Sequence, residues 1–136
     1  MRLLLGHDVA VAEWIGGRIG APIIPPYTAL GWINGDGDLA VGFVFSNYTP
    51  GGNIDMGLAA SGRLTRGILS AVADYAFRQS GATRITARCK RRNIRAHDML
   101  RRAGFKEECV CRKYYPDDDA VQFRLTRAGC RWLKET

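Results

Sequence analysis

The chain has 136 residues, 46% hydrophobic and 24% charged, with a net charge of +7; this is the balance of one folded domain spanning residues 1–136, not of a disordered chain. No apolar run approaches the ~18 residues of a membrane-spanning helix, and the apolar start Met1–Leu5 turns polar at His7 and Asp8, too early for a secretory signal. A cytoplasmic protein without a membrane partner is expected. The excess of positive charge favours a polyanionic partner, whether nucleic acid, an acidic peptide or a phosphate-rich cofactor.

In chain order, residues 2–5 read as a short first strand. Asp8 can cap a helix from Val9 to Ile19, with Val9, Val11, Ala12, Ile15 and Ile19 as its apolar stripe. Gly16-Gly17 weakens its middle, where a bend or break is expected. Pro22, Pro25 and Pro26 mark a loop from which Tyr27 emerges. A meander follows: a strand Thr28–Ile33, a tight turn Asn34–Gly37, a strand Leu39–Ser46, a loop with Pro50-Gly51-Gly52, and a strand Ile54–Ala59.

The recurrence of Leu64, Ile68, Leu69, Val72, Tyr75, Ala76 and Phe77 predicts a helix from Arg63 to Gln79, ended by Gly81. Arg84–Cys89 alternates as a strand. Asn93 starts a helix running to Arg102, and Ala103-Gly104-Phe105 turns the chain into a strand over Glu107–Tyr114. After a loop from Pro116 to Asp119, Ala120–Leu125 is a last strand, and Thr126 is expected to cap a terminal helical turn through Leu133. The order βαβββαβαββα describes an α/β fold: a mixed sheet, three-strand meander then βαβαβ, with helices on both faces.

The side chains of metal chemistry are few and scattered. Cys89, Cys109, Cys111 and Cys130 include only one close pair, and His7 and His97 complete no zinc spacing, so no metal is expected. In a strand, Cys109 and Cys111 share a face. His97, beside Asp98 on the helix, reads as an exposed surface histidine.

The junction from Gly62 to Leu69 is more informative. A strand running into a helix N-terminus presents unpaired backbone N–H groups ahead of the positive end of the helix dipole, an arrangement that receives phosphate. Gly62 and Gly67 allow close approach, and Arg63 and Arg66 add charge. A glycine-punctuated turn with two solvated arginines would have the same sequence. Asn93, a preferred N-cap residue, opens a second stretch, Asn93-Ile94-Arg95-Ala96 through Leu100 to Gly104-Phe105-Lys106-Glu107-Glu108. This stretch resembles the N-x-x-A-x-x-x-L-x-x-x-G-F-x-x-E pattern of GNAT acetyltransferases, nearest to the branch with the ribosomal-protein alanine acetyltransferases. With the element order, the resemblance covers about residues 30–115.

The resemblance implies a GNAT-like acyltransferase fold and transfer of an acetyl group from acetyl-coenzyme A to an amine of a protein or small molecule. It implies cofactor binding by Leu58 and Ala59 on the strand, by Gly62, Arg63, Leu64, Thr65, Arg66, Gly67 and Ile68 at the junction, and by Asn93. A backbone N–H around Gly57–Ala59 would polarise the thioester carbonyl if the sheet splays there. Leu64 and Leu69 stand where relatives carry Gln or Arg and a small residue, a place from which Leu69 could crowd a diphosphate. Leu100 occupies the place of the tyrosine that serves many relatives as general acid, so Tyr114 and Tyr115 are the replacement candidates. Tyr27, Trp32, Asn47, Tyr48 and Asp55 are the candidates for the acceptor side, and Trp132 for a homodimer interface. Two other readings stand beside this one. The basic segment Lys90–Arg102 could track phosphates in a base-modifying enzyme acting on nucleic acid, or an altered junction could leave a binding module without catalysis.

Overall fold

The computed structural model describes residues 1–133. One seven-stranded sheet forms the centre, with strands β1 (Arg2–Leu4), β2 (Thr28–Ile33), β3 (Leu39–Ser46), β4 (Asn53–Ala60), β5 (Arg84–Lys90), β6 (Lys106–Tyr115) and β7 (Asp118–Thr126). Their spatial order is β1-β2-β3-β4-β5-β7-β6. β1 to β4 pair antiparallel, β4 and β5 are parallel, and the β6–β7 hairpin returns so that β7 lies against β5. The tight turn closes on Asn34, whose Oδ1 accepts from the Asp36 and Asp38 amides, so one asparagine replaces two backbone acceptors.

Helix α1 (Asp8–Ile19) lies on one face. It buries Val11, Ala12 and Ile15 against Ala29, Val44 and Ala59. Glycines set its closeness: a Cβ at Gly31 would lie 2.8 Å from Val11, and one at Gly42 would lie 3.0 Å from Ile15. The helix runs unbroken through Gly16-Gly17 to a left-handed Gly20, because that packing outweighs glycine's poor propensity.

The other face carries the larger core. Helix α2 (Arg66–Ala73), its continuation as a π-helix over Asp74–Gln79, and α3 (Ile94–Arg102) cover Phe43, Ile54, Met56, Ile85, Ala87 and Phe123. The expected start at Arg63 is corrected: the first turn begins at Arg66, where Thr65 Oγ1 accepts from the Ile68 amide at 3.2 Å. The helix widens at its end, with the Ser80 amide donating to Tyr75 O. Gly81 then leaves it at φ 76°. The terminal helical turn is also corrected: residues 127–133 form turns after β7. Trp132, the candidate interface residue, packs partly buried on the core, and its indole N–H donates to Ala103 O at 2.7 Å. His97, expected on the surface, is buried at 7% exposure, edge-on to Phe123 and within hydrogen-bond distance of Lys90 O. It stands three residues before Leu100, on the inward stripe of α3.

Candidate active site

The sheet opens between β4 and β5. Their parallel pairing covers Asn53–Met56 against Arg84–Ala87 and then stops, although β4 continues to Ala60 and β5 to Lys90. Strand geometry identifies the groups left facing the gap. Asn53 O and the Ser61 amide turn toward the β3 side, whereas Gly52 O and Ala60 O turn toward β5 and α3. Edges alternate with every residue, so Leu58 and Ala60 present their N–H and C=O to the opening. The backbone donor expected around Gly57–Ala59 is therefore the Leu58 N–H.

The opening is a cleft of about 340 Å³. Asn93, Arg95, Ala96 and Met99 of α3 and its N-cap line it on one side, and Arg18, Ile19 and Ala21 at the end of α1 line it on the other. Leu58, Ala59, Arg88, Cys89, Lys90 and Tyr115 form the walls. Arg95 and Met99 also belong to a neighbouring cleft of about 680 Å³, lined by Gly62, Arg63, Leu64, Leu69, Asp98 and Arg102. These shared residues join the two clefts, from the Gly62–Leu64 loop before α2, along α3, to the split sheet.

The start of α2 has the properties of an anion cradle. Among the described residues, the amides of Gly62 through Gly67 donate no hydrogen bond. Neither glycine is required by the chain's own packing: a Cβ at Gly62 would meet nothing within 4 Å, and one at Gly67 only Thr65 Oγ1 at 3.9 Å. The space above them is kept open, as close approach of a ligand needs. Leu69 shows only a small edge to the cleft, its side chain being buried at 8% exposure within the core. Ile68 is drawn inward too, and its amide donates to Thr65 Oγ1. Thr65 acts as the cap, and Asn93 Oδ1 caps α3 by accepting from the Ala96 amide at 3.1 Å while lining the cleft.

Electrostatics separates the arginines. Lys90, Arg91 and Arg92 pair with Asp117 or Asp119, Arg84 with Glu108, Arg88 with Asp55 at 3.2 Å, and Arg101 with Asp98 and Glu107. Most of the basic segment is thus committed to the hairpin and the sheet. Arg63, Arg66, Arg95 and Arg102 have no carboxylate partner among the described residues. Arg63, Arg95 and Arg102 line the path, Arg66 opens α2, and Arg95 Nη2 reaches Ala60 O at 3.3 Å.

The two tyrosines divide. Tyr115 lines the cleft, and burial, with Tyr114 beside it, pushes its hydroxyl up to about 12. Tyr114 lies outside, half exposed, edge-on to Tyr115 and beside the Arg88 guanidinium. Cys89 also lines the cleft, but burial pushes its thiol up to about 11, which keeps it protonated and inert. The acceptor-side candidates are not gathered. Trp32 is a core residue edge-on to Phe43, and Tyr27 packs beside α1. Asn47 and Tyr48 lie by the start of β4, at the opposite end from the gap. Asp55 meets the site only through Arg88. Arg18 is the residue that sequence reasoning missed: it sits on the last turn of α1, and nothing in its local pattern sets it apart from a helix-ending cation.

No cluster of three or more metal-ligating side chains occurs among the described residues, and no helix is long and apolar enough to cross a membrane. No protein-family model matches the chain, and no curated protein matches it by sequence. Solved structures do. A spermidine N-acetyltransferase of Vibrio cholerae superposes with a TM-score of 0.76 at 10% identity, over 98% of each chain. The ribosomal-protein-S5-alanine acetyltransferase of Vibrio fischeri gives 0.66 at 17% identity, over 93% of this chain and 70% of that one. A GNAT-family acetyltransferase of Bacillus anthracis gives 0.60 at 17% identity, over 74% of this chain and 66% of that one. The chain has the fold of the GNAT acetyltransferases.

Proposed function

We propose that this protein is an N-acetyltransferase that moves an acetyl group from acetyl-coenzyme A to an amine. The observation that carries the reading is the pair of clefts that share Arg95 and Met99, running from Gly62–Leu64, the first of six unpaired amides before and at the start of α2, past Arg63, Arg102 and Arg95, to the Leu58 edge of β4. Its first part matches a diphosphate in charge and donors, and its last part matches an extended chain with amides of its own. The fit is consistent with the activities named for the structural neighbours.

When bound, acetyl-coenzyme A supplies an acetyl thioester, whose carbonyl carbon accepts the amine nitrogen as the carbon–sulfur bond breaks. The Leu58 N–H donates to the carbonyl oxygen as negative charge grows there. Tyr115, held protonated, gives its proton to the departing sulfur and recovers one from solvent. Among the described residues no Asp, Glu or His lines the cleft, so the proton lost by the amine passes to water. Arg18, Arg88 and Lys90 around the opening favour the neutral, nucleophilic form of the amine.

The test is thermal unfolding with acetyl-coenzyme A. A working site raises stability by about 2.7 kcal/mol at a ligand concentration 100 times Kd. Gly67→Asp should keep the apo melting temperature, since the position is open and a carboxylate suits a helix N-terminus. It should weaken cofactor binding at least tenfold by repelling the diphosphate. Equal stabilisation of both proteins would show that the diphosphate lies elsewhere, and no stabilisation of either would remove the acetyltransferase reading.

A further inference from the structure

Resting on the acetyltransferase reading, we propose that the acceptor is an amine that itself carries a carboxylate, and that Arg18 reads that carboxylate. The cofactor path runs on the α3 side of the split sheet, so an acceptor must come from the α1 side, where Arg18, Ile19 and Ala21 form the rim. On that face Asp55 follows the pleat of Gly57 and Ala59, the residues under α1, and Thr86 lies across from it in register. Period-two alternation puts Arg88 and Lys90 on the same side; the Arg88–Asp55 pair and the closeness of both cations to Tyr114 and Tyr115 agree.

The charge at this rim is one-sided. Arg18, Arg88, Lys90 and Arg95 line the cleft, and among the described residues no carboxylate does. The Arg88 charge is answered by Asp55, and Lys90 shares Asp117 with Arg92. Arg18 has no carboxylate partner among the described residues and stacks over Trp14 at 4.8 Å, which reduces the conformational freedom its fork would lose on binding. A guanidinium so held suits a bidentate carboxylate. A polyamine, whose remaining ammonium groups need acidic partners, would meet an excess of like charge, with Asp55 already paired to Arg88. Proximity of the acceptor's carboxylate to Arg18 would also leave its amine near the Leu58 edge, across the opening.

The test compares acceptors in a coenzyme A thiol-release assay: spermidine, an uncharged-tail alkylamine, free amino acids, and short peptides with Asp or Glu following a free N-terminus. The expected result is at least a tenfold higher kcat/KM for carboxylate-bearing amines than for spermidine, with the amino-acid and peptide arms showing which source is preferred. Arg18→Glu should lose that preference mainly through KM and improve spermidine, whereas Arg18→Lys should retain part of it. A preference for spermidine or the alkylamine, or an unchanged ratio in Arg18→Glu, overturns the proposal while leaving acetyl transfer intact. If no amine turns over, melting-temperature shifts by the same amines decide the matter: stabilisation of the wild type but not of Arg18→Glu by the carboxylate-bearing amines upholds the proposal, and no such difference overturns it. Cofactor stabilisation, measured in parallel, reports separately on the acetyltransferase reading.

Discussion

Tyr115→Phe is expected to lower kcat by about 10²- to 10⁴-fold with little change in the KM for acetyl-coenzyme A. The substitution removes one hydroxyl from a residue that lines the cleft, and leaves the ring that packs against Tyr114 and Lys90. Tyr114→Phe is the matched control and should cost far less, since Tyr114 stands outside the cleft. The pH dependence separates the two further. Tyrosine titrates near 10 when exposed, and burial moves Tyr115 to about 12, so the alkaline loss of activity should fall near 12. The same shift affects stability. The folded-state value lies above the unfolded one, so the Tyr115 contribution is intact below pH 10 and is lost as pH rises through 12. A pH–rate profile of both variants checks the first claim, and melting temperatures across the alkaline range check the second.

Phe123→Ala should destabilise the fold by about 3–5 kcal/mol and lower the melting temperature by roughly 10–20 °C. Phe123 is fully buried on β7, with His97 edge-on at 5.5 Å and the Arg101 guanidinium at 5.7 Å. Those two partners belong to α3, so the cavity would loosen the helix that walls the proposed cofactor path as well as the core. Denaturant unfolding measures the first effect. The affinity for acetyl-coenzyme A, taken at a temperature where the variant is folded, measures the second. A loss below 1 kcal/mol would mean that the neighbouring side chains close the cavity.

The sequence made the strands of the meander legible because each side of the sheet is covered by a different helix and the turn residues are chemically marked, Asn34 above all. Asn93 as a cap and Gly81 as a left-handed terminator were legible for the same reason: each does one local thing. What escaped depends on distant segments. The π-helical end of α2 has Phe77 O bonded by Arg127 at 2.9 Å, fifty residues away. The terminal turns are held by Trp132 on Ala103. Leu69 looked obstructive in a linear motif, yet the first turn of α2 rotates it into the core. His97 could have been found, since it sits three residues before Leu100 on an apolar stripe. Of the candidate site residues, Asn93 came from pattern and Tyr115, with Tyr114, only from nearness to the missing tyrosine's place, whereas Arg18 enters only when α1 is laid across the sheet.

The gap between β4 and β5 has a consequence for what the protein tolerates. An unpaired strand edge ordinarily invites a second chain to add a strand and begin aggregation. Here the Leu58 edge lies in the interior of the sheet, with Ala60 O already taken by Arg95, Arg88–Lys90 facing it, and the end of α1 and the start of α3 on either side. A full β-strand entering there would need the usual ~4.8 Å spacing to a neighbour and room for side chains above and below, and these walls stand against it. A thin, unbranched, amide-bearing thread needs less. On the acetyltransferase reading the split would thus act as a gauge as well as a binding edge, offering strand-type hydrogen bonds to a narrow ligand more readily than to polypeptide.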